Sequence, residues 1–309
     1  MSKYLITFIC PFLKIDQNFK KIINVFKVQK KNYQLILVCD GKKIKENKLN
    51  IEKFPNIKFK NLNTFSGPGR ARNVGLKMST GKWVHFLDSD DMINFKKILK
   101  LEKILLTKKK LNMIAFNFKS NDTNYRQKKN LFYSMIKEKN KMKKIKSFFE
   151  LKYTYEIIFY FFKKSFLLKN KIYFLKGFHE DIAFLLKTIL KNNSPIHYTN
   201  SYIYNKNFNK NSITYKINEK NINFYIKAFI YCIKYIKNNY KFFKERDKIL
   251  QTNIRGIMGR TLKYVAIYRL NFKKIKKNFL VLMSMYNNKY SGNQPYDVIF
   301  KKYLEHEKI

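Results

Sequence analysis

Three short stretches of this chain combine residue types and spacings that do chemistry. The first is Phe86 to Asp91 (FLDSDD), where acidic side chains crowd just past an apolar run. Carboxylates so placed repel one another and lose hydration, a cost that a divalent cation and its phosphate ligands relieve. Asp88 and Asp90 stand two apart, so extended backbone turns both toward one site. Asp91 suits a different task, capping the helix expected next. The second stretch is Gly67-Pro68-Gly69-Arg70-Ala71-Arg72-Asn73, which enters a helical pattern before Gly75. Glycines permit close backbone approach, and a helix N-terminus with nearby Arg favours phosphate oxygens. An ordinary loop and helix start is the plainer alternative. The third stretch is Gly177-Phe178-His179-Glu180-Asp181, ahead of the helical pattern Ile182, Leu185, Leu186, Ile189. Two acids there suit the helix dipole. A carboxylate at that place can also take a proton from a nucleophilic hydroxyl, help typically worth ~10²–10⁴-fold in rate.

The elements that must position these residues alternate between two periods. Tyr4 to Cys10 is a continuous apolar run ending at Pro11, as expected of a parallel strand buried on both faces. Phe19, Ile22, Ile23 and Phe26 recur at helical spacing. Tyr33 to Cys39 predicts a second buried strand stopping at Asp40-Gly41, and Ile57 to Leu62 a weaker third. A helix from about Arg70 to Met78 precedes a strand at Trp83 to Leu87. Leu99 to Leu106 then reads as helix and Leu111 to Phe118 as strand. Strand and helix in this order indicate an α/β domain with a mostly parallel sheet, whose ligands bind at the carboxyl ends of the strands. The acids fall at such ends. Lys128 to Lys146 reads as a solvated helix or surface insertion, and Phe148 to Lys171 as an apolar segment packed over the sheet. Beyond Thr214 the pattern is helical only. One stripe runs from Ile222 to Ile236, and another comprises Ile275, Phe279, Leu282, Met283 and Tyr286, preceded by Lys273, Lys274, Lys276 and Lys277. A soft boundary near residue 216 follows.

The composition excludes several classes. The chain has 309 residues, 45% of them hydrophobic and 17% aromatic, which is enough for a sizeable core and too much for a disordered basic tail. Nine Gly and five Pro rule out collagen-like and low-complexity chains. The net charge of +46 is almost all Lys, accompanied by Asn, Ile, Phe and Tyr. Genome base composition produces such a bias without any partner; the alternative is attraction to a polyanion. Cys10, Cys39 and Cys232 are dispersed and odd in number, which fits a reduced compartment. The apolar N-terminus lacks a small-residue cleavage site, and no run approaches the roughly 18 apolar residues of a membrane span. A cytoplasmic protein is expected.

The set of motifs resembles the inverting glycosyltransferases of family 2, which have the GT-A nucleotide-sugar fold. The matching pieces are a first strand ending at Pro11, a second ending at Asp40-Gly41, the stretch GPGRARNVGL, and WVHFLDSDD from Trp83 to Asp91. His179-Glu180-Asp181 and Asn211 to Thr214 (NSIT) come later, with Asp181 lying 91 residues beyond Asp90. The resemblance covers about residues 1–215. It implies a GT-A (Rossmann-like), mostly parallel sheet flanked by helices over 1–216, ahead of the helical C-terminal extension that the apolar stripes indicate over 217–309. It implies that Pro11 and Asp40 line the nucleotide base, and that Arg72 and Asn73 hold the nucleotide and diphosphate. Asp88 would reach the ribose and metal shell, and Asp90 would ligate Mn²⁺ or Mg²⁺. Asp181 would be the base that deprotonates the acceptor hydroxyl, with Glu180, His179 and Asp91 on the acceptor side. Leu13, Lys14, Lys42 and Lys43 depart from the family pattern where base and ribose bind.

The implied partners are a nucleotide-sugar donor, foremost a UDP-hexose, and a cell-envelope glycan or glycolipid acceptor. Two other readings compete with this. A nucleic-acid binder suits the charge but needs aromatics and Lys on an open sheet face, whereas these strands read as buried. A sugar-nucleotidyltransferase needs a basic Gly-rich loop straight after the first strand, where this chain has CPFLKID. The C-terminal helices leave two readings open: packing on the catalytic domain, or peripheral docking on the anionic inner face of the cytoplasmic membrane.

Overall fold

The computed structural model describes residues 3–29, 32–41, 44–120, 138, 140–150, 155–207, 217–241 and 245–286. Lys42-Lys43, most of the Lys-rich run and the Asn-Ser-Ile-Thr stretch lie outside them. The chain divides into two compact units, Met1–Asn211 and Ser212–Ile309.

The first unit is built on β1 (Tyr4–Phe12), β2 (Tyr33–Asp40), β3 (Ile57–Leu62), β4 (Gly81–Phe86), β5 (Met92–Ile93), β6 (Met113–Ser120), β7 (Tyr160–Lys163) and β8 (Ile196–Lys206). They form one sheet in the order β3-β2-β1-β4-β7-β6-β8-β5. β1, β2, β3 and β4 pair in parallel, as do β6 and β8, whereas β7 is antiparallel to both β4 and β6. β1, β2, β3, β4, β6 and β8 therefore end on one rim. β1 and β2 are buried almost throughout, which accounts for their unbroken apolar runs.

Helices α1 (Gln17–Val28), α2 (Pro68–Met78), α3 (Phe95–Thr107), α4 (Lys141–Phe149), α5 (Lys164–Lys169) and α6 (Glu180–Lys191) flank the sheet. α1 starts where Asp16 accepts from the Phe19 amide at 3.0 Å, and it buries Phe19, Ile22, Ile23 and Phe26. Phe8 meets Phe26, Phe161 and His85 edge to face in the core beneath, with Phe95 tilted against it.

Three expectations need correction. The segment from Phe148 to Lys171 does not simply pack over the sheet: its Tyr160–Lys163 stretch is a strand inside it, between β4 and β6, while Lys164–Lys169 forms the flanking α5. The described part of the Lys-rich run is not simply solvated. α4 buries Met142, Ile145, Phe148 and Phe149, and Lys144 Nζ donates to the Asn192 carbonyl at 3.3 Å, at the C-terminal end of α6. A cation suits the negative end of that helix dipole. β8 was not anticipated at all, because Tyr198, Thr199, Asn200 and Ser201 break its apolar pattern.

The second unit holds α7 (Glu219–Asn239), α8 (Arg246–Ile267) and α9 (Lys273–Ser284). α7 buries Ile222, Ile226, Phe229, Ile233 and Ile236; α9 buries Ile275, Phe279 and Leu282. α8 went unread because Gly256, Gly259, Gln251 and Thr261 dilute its buried stripe of Leu250, Ile254, Ile257 and Val265.

Candidate active site

The shared rim of the sheet gathers the acids. Just past β4, Asp88 and Asp91 close a turn in which the Asp91 amide donates to the Asp88 carbonyl at 3.2 Å. Asp91 is 1% exposed and is held by the end of β8: the Tyr204 hydroxyl donates to it at 2.7 Å, and the Asn207 amide donates at 2.7 Å. Lys206 Nζ stands 3.9 Å from the same carboxylate. Burial raises the Asp91 carboxyl to about 7, while Lys206 pulls it down. Asp91 therefore does not cap a helix. The cap of α3 is Asn94, whose side chain accepts from the Lys97 amide. Tyr204 and Asn207 also steady the other acids, since the Asp88 amide donates to the Tyr204 hydroxyl and the Asn207 side chain donates to the Asp90 carbonyl.

The remaining acids converge on one arginine. Arg72 emerges from the second turn of α2 and its side chain is 6% exposed. One terminal nitrogen donates to Asp88 Oδ1 at 2.8 Å; the other donates to Asp181 Oδ1 at 3.1 Å and to Glu180 Oε1. The Phe174 ring lies 5.6 Å from the guanidinium carbon. Burial opposes the charge on Arg72, but Asp181, Glu180 and Asp88 together raise its pKa and keep it protonated. Burial also pushes the Asp181 carboxyl well above the ordinary carboxylate range; Arg72 counters this, while Glu180 and Asp88 reinforce it. Stretches far apart in sequence are thus brought together: Asp88 and Asp181 share one guanidinium.

The glycines of the second motif serve this convergence. A Cβ on Gly69 would stand 2.1 Å from the Leu175 carbonyl oxygen, and one on Gly67 (φ 86°) 2.7 Å from that of Gly177. Close approach is thus used to seat α2 against the segment leading into α6, and the Gly177 amide donates to the Ser66 carbonyl at 3.1 Å. Asn73 completes the seam. Its amide group donates to the Phe174 carbonyl at 2.9 Å and accepts from the Phe174 amide at 2.9 Å. Both ends of the Asn73 amide therefore hold backbone and staple α2 to the segment leading into α6.

Asp40 is buried at the end of β2, where it accepts from the Ser66 amide at 3.1 Å. Burial raises its carboxyl, opposed by the Ser66 and Gly67 amides. Pro11 sits half-buried near the end of β1, paired with Val38. His179 precedes α6 in the left-handed region at φ 57°, and burial lowers its ring to about 4, so it is neutral at pH 7. Sequence reasoning missed Tyr204, Lys206 and Asn207, because β8 went unread.

Among the described residues, no group of three or more His, Cys, Asp or Glu is arranged to hold a metal ion. Asp88 and Asp90 offer only hard oxygen ligands. That donor set suits a cation that completes its shell with water and phosphate oxygens, as Mg²⁺ does with one or two carboxylates. The residues fit a cation arriving with a diphosphate.

Comparison with known proteins agrees with this architecture. The sequence profile described as glycosyl transferase family 2 matches residues 7–174. An uncharacterized glycosyltransferase of Haemophilus influenzae is 32% identical over 110 residues, covering 34% of this chain and 44% of that protein, so the match spans less than half of the relative. S. aureus TarS 1–349, solved with UDP-GlcNAc, superimposes with a TM-score of 0.68 at 18% identity over 93% of this chain and 82% of its own. Glucosyl-3-phosphoglycerate synthase from Mycobacterium tuberculosis, solved with phosphoglyceric acid, gives 0.52 at 13% identity over 74% and 80%. These structures share the GT-A fold of this chain. With the profile spanning more than half of its length, the chain belongs to glycosyl transferase family 2.

Proposed function

We propose that this protein is a metal-dependent inverting glycosyltransferase that moves a sugar from a nucleotide-sugar, foremost a UDP-hexose, to a hydroxyl of a cell-envelope glycan or glycolipid. The observation that carries the reading is that Asp88 and Asp181 lie 2.8 and 3.1 Å from the two nitrogens of one guanidinium, on the rim where α/β sheets bind ligands. The proposed donor-side acid and the proposed base thus meet at one side chain. In the proposed step, Asp181 takes the proton of the acceptor hydroxyl. That oxygen bonds to the anomeric carbon as the bond from this carbon to the diphosphate oxygen breaks, and attack from the opposite face inverts the centre. A divalent cation held by Asp88 and Asp90 would neutralise the charge developing on the leaving diphosphate. Burial raises the Asp181 carboxyl, and a higher pKa is the direction that strengthens a carboxylate as a base.

The catalytic part in this reading is residues 1–216, and the C-terminal region 217–309, with its three helices among the described residues, docks peripherally on the inner face of the cytoplasmic membrane. Leu280 and Val281 of α9 and the preceding Ile267 and Tyr268 are exposed, with Lys273, Lys274, Lys276 and Lys277 beside them in sequence. Exposed apolar groups next to a run of cations fit an anionic lipid surface. No helix among the described residues is long and apolar enough to cross a membrane. The direct test is a screen of nucleotide sugars for binding and turnover by the purified protein. The reading predicts at least one active donor, with UDP-hexoses first, and would be abandoned if none binds.

A further inference from the structure

The family resemblance gave Arg72 a diphosphate contact, but the observed placement points elsewhere. Its side chain is 6% exposed, and both terminal nitrogens are already engaged, one by Asp88 and the other by Glu180 and Asp181. The side chain is also held from below. Phe174 lies against the guanidinium, its ring stacks on Phe184 at 4.0 Å, and its backbone is clamped at both ends by Asn73 on the same helix as Arg72. Gly69, which leaves room for the Leu175 carbonyl, lets that helix sit close enough for the fork to reach. Without the guanidinium, the three carboxylates would repel one another at close range and lose their common geometry. A planar fork holds several carboxylate oxygens in fixed directions, which an ammonium group does not.

We propose that Arg72 is the positioning residue of the acceptor-activating base, its fork fixing the Asp181 carboxylate relative to Asp88 so that base and donor site keep one geometry. The inference rests on the glycosyl-transfer reading above. Arg72 acts through Asp181 and does not touch the reacting atoms.

The test is Arg72→Lys, which keeps the charge and loses the fork. Transfer from the active donor, UDP affinity by calorimetry and thermal unfolding are measured in parallel. A displaced base predicts a fall in kcat of about 10²-fold, with donor KM and UDP affinity within a few-fold of wild type. Guanidinium ion, and not methylammonium, should restore part of the rate in Arg72→Ala. UDP affinity falling in step with kcat would show a nucleotide contact and overturn the proposal, as would an unchanged kcat. Should Arg72→Lys fail to fold, Phe174→Leu gives the same reading, because it removes the ring beneath the guanidinium and keeps every charge. Its kcat should fall with UDP affinity kept, and the reverse split overturns the proposal. If wild-type protein binds no nucleoside diphosphate, the underlying transferase reading fails first and the inference falls with it.

Discussion

The two acidic motifs of the first unit use the same side chains and are neutralised in different ways. At the end of β4, each acid meets a different environment: Asp91 is sealed under Tyr204, Asn207 and Lys206, whereas Asp88 is 32% exposed and leans on Arg72. At the head of α6, Glu180 and Asp181 depend on that single arginine together. A run of carboxylates therefore does not announce a common task. Asp91 builds the turn, Asp88 stays partly exposed, and Asp181, 22% exposed, has its carboxyl raised by burial.

The largest effect that separates the two motifs is expected at Asp181. Asp181→Asn should lower kcat by ~10²–10⁴-fold while leaving UDP binding intact; a rate within a few-fold of wild type would remove Asp181 from the chemistry. Chelation probes the other motif. Loss of several kcal/mol of charge stabilisation implies a fall of roughly 10²-fold or more in EDTA, reversed by Mn²⁺ or Mg²⁺. Full turnover in chelator would leave Asp88 and Asp90 without a cation to hold.

Beneath the acids, His85 supplies a stability test. Its Nδ1 proton is donated to the Tyr160 carbonyl at 3.0 Å, and burial lowers its pKa to about 4. Between pH 4 and 6.5 the unfolded chain holds a proton on His85 that the folded chain does not. Stability from this group is therefore full above pH 6.5 and is lost as the pH falls through about 4. The shift of about 2.5 pH units corresponds to roughly 3 kcal/mol. The dependence should flatten in His85→Phe, as followed by urea unfolding across that range; an unchanged slope would mean that His85 is protonated in the fold. The Asn73 staple ranks next. Asn73→Ala leaves the Phe174 amide and carbonyl without their partner, at a cost of about 1–3 kcal/mol in unfolding free energy. The smallest effect concerns the second unit. Replacing Lys273 and Lys277 with Glu should weaken sedimentation with anionic vesicles at low salt by about 1 kcal/mol for each cation lost. Wild-type protein that ignores such vesicles would end the membrane reading.

Much of this arrangement was legible in the sequence, and what was missed has physical causes. β1, β2 and β4 read clearly because burial on both faces demands uninterrupted apolar runs. Asp88, Asp90 and Asp181 stand out in the sequence because acids at element ends are conspicuous by type and spacing. β8 was hidden by its half-polar pattern, and Tyr204, Lys206 and Asn207 went with it. The glycines of residues 67–69 were recognised as a close-approach signal, but sequence alone did not say what approaches. Here it is the chain itself, at Leu175 and Gly177. Asn73 and Arg72 were legible as residues of interest but not in their contacts with Phe174, Glu180 and Asp181, because partners about a hundred positions away leave no local trace.

The proposed base, Asp181 acting from the face opposite the leaving diphosphate, has one stereochemical consequence, and proton NMR of the freshly formed glycoside reads it directly. The account predicts that the product carries the anomeric configuration opposite to that of the donor and that its formation is lost in Asp181→Asn. A product that retains the donor's configuration, made with Asp181 removed, would contradict it.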